Sequence, residues 1–214
     1  MDNSPSQVTV AIILAGGNSS RMGRDKALLP WQNSCLLRET CLKALVVTHQ
    51  AYVVTPWGER YEDVLPSGCL ILPEERDTDS AGPLVAFAQA IAKLPKPQGW
   101  ALLLACDLPY LTAASLQTVP PLATLAHNIV AVLPRGKKGW EPLCGFYRLE
   151  RLDRLQTFVH QGGRSFQRWL ATEMVIPWQL DNPKILENCN TPMDWQRFQG
   201  GLNPSKMDKK RGVS

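Results

Sequence analysis

An α/β fold, a Rossmann-like three-layer sandwich with a mostly parallel central sheet, follows from three features of this sequence. Val8–Leu14 is a continuous apolar run rich in β-branched residues and closed by Ala15-Gly16-Gly17, the pattern of a strand buried on both faces. Trp100–Cys106 is a second run of this kind and the most apolar segment of the chain. Strand-like and helix-like segments alternate from one end to the other, and such alternation builds a parallel sheet covered by helices on both faces.

Beyond the glycine-rich loop, Leu37, Cys41 and Leu45 stand four apart and predict an amphipathic helix over Ser34–Val46. Ala51–Thr55 reads as a strand ended by Pro56 and Gly58, and Leu70–Leu72 as a short third strand before the charged loop Glu74–Asp79. Gly82-Pro83 opens a helix that runs to about Leu94, with proline in the first turn where its missing N–H does no harm. Pro95 and Pro97 stop it. After Trp100–Cys106, Thr112 is the N-cap of a short helix. Asn128–Leu133 and Leu143–Tyr147 read as strands, Glu150–Val159 and Ser165–Leu170 as helices, Met174–Pro177 as extended and Pro192–Phe198 as a closing helix. Arg148, Arg151 and Arg154 recur every three residues, as along a solvated helix face. No repeat, low-complexity tract or dividing linker is visible, so residues 1–202 are expected to form a single domain and 203–214 a basic, disordered tail.

Composition narrows the classes. With 44% hydrophobic and 20% charged residues, the chain has an ordinary globular balance. No stretch approaches the ~20 apolar residues that a membrane helix needs. Met1–Gln7 is polar without a basic start, unlike a secretory leader, so a cytoplasmic location is expected. The net charge is +4, but Lys206, Lys209, Lys210 and Arg211 against Asp208 put +3 of it in the tail, leaving +1 for the rest. That body lacks the basic stripe of a nucleic-acid binder. The six cysteines include no C-x-x-C pair, and the three histidines have no metal-ligand spacing, which argues for reduced thiols and against zinc. The seven tryptophans are spaced as packing residues.

The chemistry concentrates in Leu14–Lys26. Glycines directly after a buried strand admit a ligand close to the backbone, because no Cβ blocks it. Loop N–H groups can then meet phosphate oxygens while Arg21 and Lys26 neutralise charge. A Walker A loop is excluded because Gly23 is followed by Arg24-Asp25, and the G-x-G-x-x-G fingerprint is excluded because Gly16 and Gly17 are adjacent. Asp107 ends the most apolar strand, and ligands of open α/β sheets bind beyond the carboxyl ends of strands. Mg²⁺ prefers one or two carboxylates with phosphate oxygens and water, so a single aspartate there suffices to hold it.

Leu14–Lys26, then Ala81-Gly82-Pro83-Leu84, Ala105–Pro109, Pro142-Leu143, Gly163-Arg164-Ser165 and Asn188–Pro192, resemble the ordered motifs of the molybdenum cofactor guanylyltransferases, the MobA family. The resemblance spans roughly residues 8–198 and implies transfer of GMP from GTP to the phosphate of Mo-molybdopterin, with release of pyrophosphate and Mg²⁺ as cofactor. It implies that Leu14, Ala15, Gly16 and Lys26 bind GTP, with Gly17 beside them, and that Asp107 binds both Mg²⁺ and the nucleotide; on physical grounds Arg21 and Lys26 would neutralise the charge that grows during the transfer. An acidic residue after the third strand also touches the nucleotide in this family. Glu74, Glu75 and Asp77 compete for that place, and counting back from Gly82 favours Glu75. Asn188 and Asn190 match the asparagines of the pterin side, and Arg164 stands either as a cation facing the pterin or as a neighbour of an N-capping Ser165. Molybdoenzyme maturation proteins are the protein partners it would imply. Glu141 departs from the family's usual histidine before Pro-Leu, so no role carries over to it. Two rivals stay open: a cytidylyltransferase acting on the same pterin or on a sugar or polyol phosphate, and a non-catalytic nucleotide or cofactor carrier.

Overall fold

The computed structural model describes residues 8–17, 22–75, 82–95 and 98–201. In chain order they form β1 (Val8–Leu14), a hairpin of β2 (Pro30–Trp31) and β3 (Ser34–Cys35), α1 (Leu36–Ala44), β4 (Ala51–Thr55), β5 (Cys69–Pro73), α2 (Gly82–Lys93) and β6 (Trp100–Ala105). Next come α3 (Ala113–Gln117), β7 (Ile129–Leu133), a second hairpin of β8 (Arg135–Gly136) and β9 (Gly139–Trp140), β10 (Cys144–Arg148), α4 (Asp153–His160), α5 (Phe166–Leu170), β11 (Met174–Pro177) and α6 (Pro192–Gly201).

Seven strands make one sheet in the order β11-β7-β10-β6-β1-β4-β5. Only β10 runs against its neighbours β6 and β7; the other pairings in this sheet are parallel. The side-chain period of two sends alternate residues of each central strand to opposite faces. Ala11, Ile13, Leu102 and Leu104 join the core under α1 and α3, with Leu37, Cys41 and Leu116. Val10, Ile12, Ala101 and Leu103 join the core under α2, α4 and α5, with Phe87, Leu155 and Trp169. This is the expected three-layer sandwich. A third, smaller core lies apart from the sheet: Met22, Leu29, Trp31 and Leu36 pack on Cys189 and Phe198.

Two local expectations change. The helix foreseen over Ser34–Val46 begins only at Leu36, because Ser34 and Cys35 pair back on Trp31 and Pro30. The segment foreseen as a helix from Glu150 opens with a 3-10 turn over Leu149–Arg151, and α-helix starts at Asp153. The arginine series is also corrected. Arg148 closes β10 and is only 9% exposed, with its guanidinium 4.5 Å from the centre of the Trp100 ring. It donates to the carbonyls of Ile129, Leu125 and Ala126 at 3.0–3.2 Å. Arg151 donates to the His127 carbonyl and Arg154 pairs with Glu173. A spacing of three mimics a helix face, but here the first residue still belongs to the strand. Thr112 does cap α3, accepting from Ser115 N at 3.0 Å.

The described cysteines are all unpaired thiols, five of them buried and Cys69 half-buried. No helix among the described residues is long and apolar enough to cross a membrane. The tail, 203–214, lies outside the described residues.

Arg148 ties three carbonyls to the end of β10, and a buried acceptor that loses its donor is costly. Arg148→Met should therefore destabilise the fold by roughly 2–4 kcal/mol. Urea unfolding of the two proteins, with an unchanged slope, checks this.

Candidate active site

The register of the parallel strands assembles the site. Leu14 stands opposite Val54 on one side and Ala105 on the other, so β1, β4 and β6 end level. From β1 the chain builds outward to β4 and β5 and then crosses back to place β6 on the other side of β1. That reversal is a topological switch point, where loops diverge and leave a crevice at the carboxyl edge. A cavity of about 300 Å³ occupies it. Leu14–Gly17, Asp25, Lys26 and Ala27 line it from the first loop, and Ala105, Cys106 and Asp107 from the end of β6. Val54 and Glu74 close one side, Gly82, Pro83 and Ala86 of α2 another, and Leu143 and Asn188 complete it.

The loop after β1 reaches the cavity without obstruction only because of its small residues. A Cβ on Gly16 would collide with the carboxylate of Glu74, which therefore stands directly over this glycine. Gly82 has a φ of +78°, which turns the chain into α2, and Gly82, Pro83 and Ala86 set the N-terminal end of that helix against the cavity. Asp25 is held by both oxygens: Oδ1 accepts from Ala27 N at 3.0 Å and Oδ2 from the buried Tyr61 hydroxyl at 2.8 Å. The next residue, Lys26, is thereby fixed in place at its backbone.

Asp107 and Lys26 meet across 81 residues of chain. Lys26 Nζ lies 3.5 Å from Asp107 Oδ2 and donates to Asn190 Oδ1 at 2.6 Å. Both side chains are mostly covered, 20% exposed for Lys26 and 15% for Asp107. Burial pushes the Asp107 carboxyl above the usual carboxylate range, and the Lys26 ammonium works against that shift. Its second oxygen, Oδ1, is buried and has no hydrogen-bond partner among the described residues. An oxygen of that kind costs free energy unless a ligand serves it. A divalent cation sharing Asp107 with phosphate oxygens and water fits this donor set. No cluster of three or more metal-ligating side chains occurs among the described residues, so a cation here would depend on the nucleotide for most of its ligands.

The structure brings Leu14, Ala15, Gly16, Gly17, Lys26, Asp107 and Asn188 together at this cavity, with Asn190 behind Lys26. Two of the expected site residues, Glu75 and Arg164, fall away from this cavity. Glu75, favoured by counting from Gly82, points outward to Lys93 at 3.0 Å and is 73% exposed; Glu74 is the acid in the cavity. Successive residues leaving a strand face opposite ways, so an error of one inverts the assignment. Arg164 is exposed, donates to the carbonyls of Val159 and Gly163, and does not line the cavity. It closes the end of α4, while Ser165 caps α5 by accepting from Arg168 N. Arg21 and Asp77 lie outside the described residues. Asp25 is a site residue that sequence reasoning does not single out, although its place directly before Lys26 is the available signal.

Comparison with known proteins gives a consistent picture. The MobA-like NTP transferase domain matches residues 11–175. A probable molybdenum cofactor guanylyltransferase of a Nostoc species is 48% identical over 207 residues, 95% of this chain and 98% of that protein. The structure of molybdopterin-guanine dinucleotide biosynthesis protein A from Archaeoglobus fulgidus superposes with a TM-score of 0.68 at 20% identity, covering 88% of this chain and 96% of that one. A Mycobacterium tuberculosis protein solved in complex with manganese has a TM-score of 0.63 at 17% identity over 89% of this chain and 97% of its own.

The burial that raises Asp107 makes its charge a burden on the ligand-free protein: stability is greatest with the carboxyl protonated and falls as pH rises through its elevated pKa. At neutral pH, Asp107→Asn should raise the melting temperature in EDTA by about 2–4 °C. The same variant should lose Mn²⁺ binding in the presence of nucleotide. Scanning fluorimetry and calorimetry read the two effects, and a lowered melting temperature contradicts the assignment of burial as the dominant influence.

Proposed function

The chain belongs to the MobA-like NTP transferase family, and from that premise we infer that it is a molybdenum cofactor guanylyltransferase. It transfers GMP from GTP to the phosphate of Mo-molybdopterin and makes the guanine dinucleotide form of the cofactor. The observation that carries the assignment of roles is the meeting of Lys26 and Asp107 at the switch-point cavity.

The acceptor phosphate oxygen attacks the α-phosphorus, a new P–O bond forms, and the bond to the β-phosphate oxygen breaks with pyrophosphate as leaving group. The acceptor is already anionic, so no side chain has to remove a proton. The barrier lies in bringing two anions together and in the charge that grows on the leaving group. Lys26 donates to the triphosphate oxygens, and the α2 N-terminus adds positive field from a second side. Glu74 beside Gly16 is the acidic contact of the nucleotide, in place of Glu75. Asp107, with its unserved Oδ1, would hold the divalent cation, Mg²⁺ in the cell, and the manganese complex of the mycobacterial protein of like fold supports this reading. When bound, that cation neutralises charge on the triphosphate and on departing pyrophosphate. Asn188, which also lines the cavity, is assigned to the pterin side. Nothing in these roles requires a membrane, a nucleic acid or a secreted setting, and we place the enzyme in the cytoplasm.

Pyrophosphate release from GTP plus Mo-molybdopterin should depend on Mg²⁺. It should fall by about 10³-fold or more in Asp107→Ala and Lys26→Met, with circular dichroism unchanged. Near-normal transfer by a folded Asp107→Ala protein contradicts this mechanism. A preference for CTP over GTP in the same assay would instead assign the cytidylyl reaction, and binding without pyrophosphate release would assign a carrier.

A further inference from the structure

We infer that Asn190 is a positioning residue for Lys26, and so serves the nucleotide half of the site rather than the pterin half. The inference rests on the reading of Lys26 as a triphosphate ligand. A lysine ammonium sits on a flexible four-carbon stem and needs an outside partner to hold one rotamer. Asn190 Oδ1 supplies that partner at 2.6 Å, much closer than the 3.5 Å to Asp107 Oδ2. A neutral amide oxygen suits the task. It takes one ammonium proton and does not cancel the charge as a second carboxylate would.

The backbone at Asn190 and its neighbours is itself held in place. Asp194 Oδ2 accepts from Asn190 N at 3.1 Å and from Thr191 N and Thr191 Oγ1 at 2.9 Å. Thr191 Oγ1 in turn accepts from Asp194 N at 3.1 Å, so the pair forms a reciprocal cap at the start of α6. One residue earlier, Cys189 N donates to the backbone carbonyl of Asp107 at 3.0 Å. Farther along α6, Phe198 is fully buried against Tyr110 and Trp31, at ring distances of 4.8 and 6.3 Å. The amide that aims Lys26 is thus held by the same helix whose far end is anchored in the third core.

The test is GTP binding in Mg²⁺ with no pterin present, by calorimetry, for wild type, Asn190→Ala, Lys26→Met and the double variant. Asn190→Ala should weaken GTP by about tenfold or more, the scale of one hydrogen bond to a charged group. In the Lys26→Met background the same substitution should change affinity less than about twofold, because there is no ammonium left to aim. Asp194→Ala should reproduce part of the Asn190→Ala effect. Unchanged GTP affinity in Asn190→Ala, with only the pterin KM raised, would overturn the inference and return Asn190 to the pterin side. An equal loss in both backgrounds would also overturn it, as a merely structural effect. Normal GTP binding by Lys26→Met would remove the premise itself, and is read separately from the Asn190 result.

Discussion

The charge on Asp107 sets the terms for everything around it. A carboxylate at the end of a wholly buried strand loses most of its hydration, and among the described residues the Lys26 ammonium is set against that loss at a distance too long for a strong hydrogen bond. The remaining oxygen is left to a ligand. An arrangement with a second cation would make a more stable protein and a poorer metal site. The third core, the cap on α6 and the Asp25–Tyr61 hydrogen bond all serve to keep that one ammonium where it is.

The sheet provides the frame for this by simple means. Level strand ends follow from the regular parallel register that holds β1 to β4 and, from Val10 onward, to β6, and the switch point follows from strand order. The single antiparallel strand, β10, packs Phe146 and Cys144 into one core and Tyr147 into the other, and brings Leu143 to the cavity from the far side of β6. The groups proposed for nucleotide and metal therefore come from the first half of the chain, and the later half contributes a wall, Asn188 and the amide that meets Lys26.

Much of this was legible in the residues. Val8–Leu14 and Trp100–Cys106 carry their structure in continuous apolar runs. Residues directly after a buried parallel strand must face the carboxyl edge, so Gly16, Gly17, Lys26 and Asp107 could be placed in one cleft without coordinates. Contacts that depend on distant chain pairing could not. Arg148 has helix-like spacing with Arg151 and Arg154, and only the pairing of β10 with β6 and β7 shows it to be enclosed. Choosing between Glu74 and Glu75 needs the end of β5 to the residue, which is finer than apolar patterning resolves. Asn190 shows its motif in sequence but not its partner, since the third core that presents it unites residues 22–36 with 189–198 through scattered aromatic side chains of no period.

The brace between Lys26 and Asn190 spans 164 residues, which gives the site a position in time as well as in space. During synthesis at roughly 5–20 residues per second, about 8–30 s pass between the appearance of the lysine and of its amide partner. Through that interval the nascent chain comes to carry β1, β6 and Asp107, yet its ammonium lacks the amide that aims it. On the proposed role of Asn190, the aim of the lysine is therefore among the last properties the polypeptide acquires, and a chain that ends before residue 190 lacks the amide that supplies it.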